Sequence, residues 1–217
     1  MQGVRVTFQL RMPMVVPSTE KPLDTVMSWA AVRMAQSMDV DDPFAVQHDI
    51  GIAKHGTGDD WCFMASNMEI QWSEIAAEQL HYIKRQSVDQ YLDPYMQGLF
   101  KKKPSIDTSR GHTAAASLFQ HVRWVKQIQA WAVVDDMERF KEVLHHVTHI
   151  GKLHHKDWGA VQAVVVDADE SAHDRWIFRS LPIASPLKTA NHVSAIGALN
   201  SPYWDRQKHR EIAVFAG

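Results

Sequence analysis

The stretch "IQAWAVVDDMERFKEVLHHVTHIG", residues 128–151, decides the fold class of this chain. Its first seven residues are almost wholly apolar, which is typical of a strand in the middle of a sheet. A helix should follow, because Asp135 or Asp136 can cap its start and Gly151 can end it. Its apolar residues recur at helical spacing and should face the core: Phe140, Val143, Leu144 and Val147.

The N-terminal part repeats this order of a strand and then a helix. Apolar and polar residues alternate strictly over 4–12, which predicts a half-buried strand. Its solvent-exposed face should be basic, because it carries Arg5 and Arg11. Residues 23–38 then place apolar side chains every three or four positions, with Asp24 near the start. This spacing predicts an amphipathic helix.

The segment between these two halves combines short strand-like pieces with a long loop. Gly56 and Gly58 separate the pieces Ala45–Ile52 and Trp61–Met68, which predicts a hairpin. Residues 97–113 are rich in Gly, Pro and Ser, as expected of a long exposed loop.

The later elements complete a recognisable order. An extended region at Phe119–Val134 precedes the central helix, and an apolar strand at Ala160–Val166 follows it. We therefore predict an α+β fold with a ferredoxin-like (RRM-like) βαββαβ core, a long insertion and a C-terminal β extension. The whole chain, 1–217, should be one domain, with a thumb-like insertion at about 68–118 and the extension at about 168–217.

Composition excludes several classes of protein. The 217 residues are 45% hydrophobic, enough for a sizeable core, but no apolar run approaches the roughly 20 residues of a membrane span. The N-terminus carries no secretion signal, so we expect a soluble, cytoplasmic protein without membrane contact. Cys62 is the only cysteine, which excludes an internal disulfide and a thiolate metal cluster. No phosphate-binding loop, esterase elbow or dinucleotide fingerprint occurs.

Charge is unevenly distributed along a chain whose formal net charge is only −2. Residues 39–60 carry six aspartates against one lysine, whereas residues 101–126 carry six lysines and arginines against one aspartate. The basic run suits contact with phosphate and the acidic run suits contact with protein, although both also suit a solvated surface.

Histidines allow two catalytic hypotheses. His145 and His149 lie four residues apart, the spacing of a zinc-binding helix, but His146 stands where a zinc protease has its glutamate base. A histidine-metal hydrolase is therefore one hypothesis. The other is a metal-independent endoribonuclease, which needs a general base, a general acid and a cation. Its candidates are His112, His149, His154 or His155 with Lys152.

A passive role for the segment after the central helix fits its composition better. Gly151 and Gly159 let the backbone approach a phosphate closely, as in an RNA-backbone clamp. Charge and flat rings come from the residues between them: Lys152, His154, His155, Lys156 and Trp158. An ordinary connection between a helix and a strand, ended by a glycine cap, is the alternative.

The segment "VTHIGKLHHKDWGAV" at 147–161 resembles the glycine-rich loop of the repeat-associated RNA-binding (RAMP) superfamily of CRISPR proteins. Further motifs appear in the expected order: "VRVTFQLRMPMVVP" at 4–17, "LDTVMSWAAVRMA" at 23–35, "QHDI" at 47–50, "IDTSRG" at 106–111 and "LP" at 181–182. Together they make most of the chain similar to the type IV CRISPR subunit of the Cas-five group.

This resemblance implies a non-catalytic subunit that needs no cofactor or metal, binds the 5′ handle of the guide RNA and caps the backbone filament of an effector complex. An endoribonuclease that processes the guide precursor is the alternative. The implied partners are the guide RNA, backbone subunits of the Cas-seven group and the large subunit, with target DNA and an accessory helicase beyond them. The implied RNA-binding residues lie in the loop (Gly151, Lys152, His154, His155, Lys156 and Gly159) and in the insertion (Lys101, Lys102, Lys103, Arg110, Gly111 and His112).

Overall fold

A computed structural model describes residues 1–17, 21–84, 98 and 116–216. The chain is mixed α/β, with mostly antiparallel sheets and few helices. The predicted RNA-binding residues of the insertion lie outside the described residues: Lys101, Lys102, Lys103, Arg110, Gly111 and His112.

The chain forms two compact units, one of residues 1–75 with 123–217 and one of residues 76–122. The larger unit contains, in chain order, β1 (Gln2–Leu10), β2 (Met14–Val15), α1 (Leu23–Ser37), β3 (Lys54–Thr57), β4 (Asp60–Phe63), β5 (Glu69–Trp72), β8 (Val125–Val134), α2 (Met137–His145), β9 (Val161–Ala168), α3 (Ala172–Arg175), β10 (Leu181–Pro182), β11 (His192–Gly197) and β12 (Arg210–Phe215). The smaller unit contains β6 (Glu78–Lys84) and most of β7 (Ala116–Arg123).

A four-stranded antiparallel sheet forms the centre of the larger unit, with strand order β5-β8-β1-β9. Strand β1 pairs with β8 on one side and β9 on the other, so that Val6 lies opposite both Ala130 and Val166. Helices α1 and α2 contact each other and cover one face of this sheet, because both bury an apolar stripe in its core. Phe8 from β1, Met27 from α1 and Phe140 from α2 are completely buried there.

The C-terminal part of the larger unit has its own small sheet, with strand order β10-β12-β11. It shares a second apolar cluster with β4 and β8, in which Trp176, Leu181, Leu199 and Ile212 are buried. Two completely buried side chains, Arg179 and Asp24, join this part to α1 through a hydrogen bond of 2.6 Å.

The smaller unit has β6 and β7 as an antiparallel pair, with Leu80 opposite Gln120. The His81 ring stacks on Phe119 with the ring centroids 4.6 Å apart, and His81 Nε2 lies 2.6 Å from the Ser117 hydroxyl. Cross-strand pairs of this kind stabilise two antiparallel strands.

Several predicted elements are confirmed with small shifts of their bounds. The N-terminal strand, the first helix and the strand after the central helix are β1, α1 and β9. Asp136 caps α2 by accepting a 3.0 Å hydrogen bond from the Arg139 amide. As predicted, one face of β1 is buried and the other is partly exposed. On the exposed face Arg5 forms an ion pair with Asp167, with 3.1 Å between Nη2 and the carboxylate oxygen.

Three predictions are wrong in detail. Helix α2 ends at His145, so His149 is not on the helix and the two histidines do not share a helical face as a zinc-binding helix requires. The first arm of the predicted hairpin is a 3₁₀ turn at Ala45–His48, and the hairpin consists of β3 and β4. The extended region at 119–134 is broken at Trp124 into β7 and β8. For the helix and for the extended region, the apolar periodicity of the sequence continues past the residue at which the element ends.

Candidate nucleic-acid interface

The connection between α2 and β9 is a loop closed at its base by backbone hydrogen bonds. The Ile150 amide donates to the Gly159 carbonyl at 2.9 Å, and the Gly159 amide donates to the Pro13 carbonyl at 2.8 Å. Gly159 has φ +71°, and a Cβ there would lie 1.9 Å from the Ile150 carbonyl oxygen. Only glycine fits this position, so Gly159 determines where the loop closes.

The exposed part of the loop has an irregular backbone with several left-handed residues. Gly151 has φ +99°, Leu153 φ 61° and Asp157 φ 65°, on either side of a 3₁₀ turn at His154–Lys156. Left-handed conformations are uncommon outside glycine, asparagine and aspartate. The loop therefore has a defined conformation that turns its basic residues outwards, with Lys152 and Lys156 exposed.

Asp157 ties the loop to its surroundings. Its carboxylate lies 3.1 Å from Arg11 Nη2 and 3.1 Å from His149 Nε2. The hydrogen bond from His149, with the Arg11 contact, lowers the pKa of Asp157 below its ordinary value. The contacts with His149 and Arg11 therefore favour the ionised form of this carboxylate.

His149 has both ring nitrogens occupied. Nε2 faces Asp157, and Nδ1 lies 3.0 Å from the Thr148 hydroxyl. The His149 and His154 rings approach with their centroids 6.4 Å apart. His149 is thus oriented by its neighbours, and it is half-buried at the wall of the cleft between this loop and α1.

A cleft of about 260 Å³ separates this loop from α1. Helix α1 contributes Thr25, Trp29 and Arg33, which follow one another at four-residue spacing and so lie on one face of the helix. The opposite wall includes three imidazoles, those of His146, His149 and His154. Trp29 is 49% exposed, an unusual position for a large aromatic ring. The cleft therefore combines the Arg33 guanidinium and three imidazole rings with the exposed ring of Trp29.

The structure brings some of the predicted residues together. His154 and Gly151 line the cleft, whereas Gly159 lies buried at the base of the loop. The side chain of His155 lies outside the described ones.

The contribution of α1 to the cleft was not predicted from the sequence. Trp29 and Arg33 lie on the polar face of an amphipathic helix, where a tryptophan is out of place. A tryptophan on the polar face of a helix was therefore the feature of the sequence that could have indicated this side of the cleft. The contact of this face with the loop depends on tertiary packing.

Within the described parts of the chain, no three histidine, cysteine, aspartate or glutamate side chains are grouped so that they could hold a metal ion. Nor is any helix among the described residues long and apolar enough to cross a membrane. The chemistry that this arrangement offers is attraction of phosphate by cations and stacking of rings.

Comparison with known protein families assigns the chain to a family. A family model described as "CRISPR type IV associated protein Csf3" matches residues 2–215, almost the whole chain. A comparison with curated proteins found no match.

Proposed function

Because the chain belongs to the Csf3 family and is therefore the Cas5-like subunit of type IV CRISPR systems, we propose that it binds the 5′ handle of the guide RNA. In this proposal it also caps one end of the backbone filament of the effector complex. Family membership suggests a structural subunit of such a complex. We propose that the subunit acts without catalysis.

The observation that carries this proposal is the cleft between α1 and the loop after α2. Its walls present Arg33 and three imidazoles to a space of about 260 Å³, with Trp29 exposed beside them. Single-stranded RNA is bound by this combination, because cations attract its phosphates and flat rings stack on its bases. Lys152, which follows Gly151 in the loop, adds an exposed cation.

The loop residues then divide into two roles. Gly159 keeps the loop closed, since its backbone bonds to Pro13 and Ile150. Gly151, with φ +99° and an exposed surface, is the position at which a backbone amide approaches a phosphate. Lys152, His154, His155 and Lys156 provide charge and rings along the handle.

A ferredoxin-like core is the architecture that we propose for this subunit. It is supported by the antiparallel strand order β5-β8-β1-β9 and by the placement of α1 after β1 and α2 after β8. Within one domain spanning 1–217, we assign the segment at about 68–118, apart from the core strand β5 near its start, to a thumb-like insertion. The segment at about 168–217 is assigned to a C-terminal extension. The insertion would bring Lys101, Lys102, Lys103, Arg110, Gly111 and His112 to the guide.

Membership of a type IV system implies partners in a complex. We propose that these are the guide RNA, backbone subunits of the Cas-seven group and the large subunit. Target DNA and an accessory helicase would be met by the assembled complex. A cytoplasmic location fits these partners.

The alternative function is a metal-independent endoribonuclease that processes the guide precursor. His149 is a poor candidate for its acid or base, because Asp157 and Thr148 occupy both ring nitrogens. This arrangement favours positioning over proton transfer.

Incubation of the full chain with labelled repeat RNA distinguishes the functions. Binding without cleavage, in EDTA and after addition of zinc or manganese, is the expected result. Cleavage that does not depend on metal would establish the endoribonuclease, and cleavage only with metal would establish a hydrolase.

Recovery of guide RNA and partner subunits should fall for the Lys152→Ala/His154→Ala/His155→Ala variant, while circular dichroism shows an intact fold. Normal recovery would exclude the loop from RNA binding.

A further inference from the structure

A groove of about 230 Å³ lies between α1 and the C-terminal part of the larger unit. Its apolar lining comes from three segments: Trp29 and Val32 of α1, Phe44 just before the 3₁₀ turn at Ala45–His48, and Pro202 and Trp204 between β11 and β12. Two of these segments are tied together, because His48 Nε2 lies 2.7 Å from the Ser201 carbonyl oxygen. The groove is therefore preformed.

Polar groups in the lining of the groove already have partners within the chain. The Ser28 hydroxyl donates a 2.9 Å hydrogen bond to the Gln47 carbonyl, and the Tyr203 hydroxyl donates to Asp24. The groove therefore offers mainly apolar surface to a ligand. Clefts for drug-sized ligands begin at about 300 Å³, so a space of about 230 Å³ suits one large side chain of a protein.

Large apolar side chains are exposed around this groove. Trp204 is 74% exposed and Phe44 is 43% exposed, and both line the groove. Met38 and Val40, in the segment that leads from α1 to Phe44, are exposed as well. Exposed apolar side chains that cluster, unlike single ones, mark interaction surfaces, and aromatic rings contribute most to binding energy at protein interfaces.

Negative charge is concentrated on the Phe44 side of the groove. Asp39, Asp41 and Asp42 are all exposed, and none of them forms an ion pair with any residue that the structure describes. The Asp42 carboxylate accepts a 3.1 Å hydrogen bond from the Phe44 amide, which holds it at the edge of the groove.

The Trp204 side of the groove is different. Asp205 follows Trp204 there, but it is accompanied by Arg206 and by Lys208, whose ammonium group donates to the Ser201 carbonyl at 2.6 Å. The excess of negative charge therefore belongs to the Phe44 side, and a complementary partner carries its positive charges there.

We propose that this groove docks a basic segment of another protein subunit of the type IV complex. In this inference one large apolar side chain of the segment enters between Phe44 and Trp204, and lysines or arginines beside it meet the three aspartates. It gives a function to the acidic run of the sequence, and it does not depend on the proposed binding of RNA.

Charge favours a protein over a nucleic acid at this groove. Tryptophan and phenylalanine rings could also stack on bases, but three unpaired carboxylates repel the phosphates that accompany them. The same carboxylates attract lysine and arginine, so the aromatic rings and the charges select the same kind of partner only if that partner is a basic protein segment.

The first test replaces Phe44 by the photoreactive amino acid benzoylphenylalanine in the full chain, assembled with guide RNA and the other protein subunits. Irradiation and mass spectrometry should identify a crosslinked peptide of another subunit in which lysines and arginines outnumber aspartates and glutamates. The same amino acid at Ile196 is the control, because Ile196 is 72% exposed on β11 and does not line the groove. It should not crosslink to that peptide.

The second test measures recovery of the crosslinked subunit on the tagged chain after RNase treatment, so that guide RNA cannot bridge the two proteins. Phe44→Ala and Trp204→Ala should each lower recovery about tenfold, as expected for an aromatic residue at the centre of an interface. Asp39→Asn/Asp41→Asn/Asp42→Asn keeps the shape, since asparagine tolerates the φ of 53° at Asp39. It should lower recovery at low salt and change it little at high salt. Ile196→Ala should behave as the parent does.

The outcomes separate this inference from the proposed function. All of these variants should fold by circular dichroism and bind handle RNA as the parent does, because none of the altered residues lines the cleft beside the loop. Crosslinks to RNA, to a second copy of this chain or to an acidic peptide would overturn the inference. An absence of crosslinks, or unchanged recovery by the folded Trp204→Ala and triple aspartate variants, would overturn it as well.

Discussion

Arg179 donates a 2.6 Å hydrogen bond to Asp24, and neither side chain has any exposed surface. Burial disfavours a charged guanidinium, but Asp24 beside it raises the pKa of Arg179 above its ordinary value. Tyr203 donates to the other oxygen of Asp24, and Arg179 also donates to the Leu199 carbonyl at 3.0 Å. Since Asp24 lies in the first turn of α1, this network fixes the orientation of the helix that forms one wall of the cleft.

Removing one partner of this ion pair should destabilise the protein strongly. Arg179→Met leaves the Asp24 carboxylate buried without its cation, so we expect a loss of about 3–5 kcal/mol in the free energy of unfolding. The free energy of unfolding is measured by titration with urea, with circular dichroism as the signal. The control is Arg210→Met, which breaks a partly exposed 3.2 Å contact with Asp60 and should cost no more than about 1 kcal/mol. Similar losses in the two variants would contradict the role of burial.

Alanine at Gly159 should be far more damaging than alanine at Gly58. Both glycines have positive φ, +71° and +59°, so both substitutions carry backbone strain of about 1 kcal/mol or more. A Cβ at Gly159 would also lie 1.9 Å from the Ile150 carbonyl oxygen, whereas one at Gly58 would meet nothing within 4 Å. Thermal unfolding should show a large drop in Tm for Gly159→Ala and a small one for Gly58→Ala. Equal drops would show that the loop opens freely at its base.

Replacing Asp157 by asparagine should strengthen RNA binding with little change in stability. Asparagine tolerates the left-handed backbone at this position, so the shape of the loop is retained. The exposed contacts with Arg11 and His149 are lost, and a negative charge is removed from beside the proposed phosphate path. Anisotropy titrations with handle RNA measure the gain, and weaker binding by a folded variant would contradict it.

Lys152→Ala should weaken handle binding by about 1–2 kcal/mol, the size of one lost charge-assisted contact. It should also reduce the slope of log affinity against log salt by about one, because one fewer counterion is released from the RNA on binding. Lys188→Ala removes an exposed lysine from the C-terminal part of the chain and serves as the control.

Replacing Lys101, Lys102 and Lys103 together should also flatten the slope of log affinity against log salt, and an unchanged slope would place those lysines outside the RNA interface.

Cys62 should report on unfolding. Burial raises the pKa of its thiol to about 11, and the side chain has no exposed surface. A thiol reagent at pH 8 should therefore react only after denaturant is added. Because the unfolded thiol ionises first as pH rises above about 9, the free energy of unfolding should fall there, and Cys62→Ala should remove that part of the decline. Rapid labelling under native conditions would contradict the burial.

Local pattern was sufficient for the elements that bury one face. Strand β1 and helices α1 and α2 were predictable because their apolar residues repeat with the period of the element. The loop at Gly151–Gly159 was predictable in composition, since glycines and cations stand close together in the chain.

The sequence by itself therefore determined the order of elements, the apolar faces and the basic loop after α2. Only the tertiary structure decided that α2 ends at His145, that Asp24 pairs with a residue 155 positions away, and that Trp29 and Arg33 of α1 line a cleft with the loop after α2. Local periodicity depends on neighbours in the chain, so it is visible in a short stretch. Burial of a charge depends on which distant side chains displace water from it, and that is settled when the elements pack.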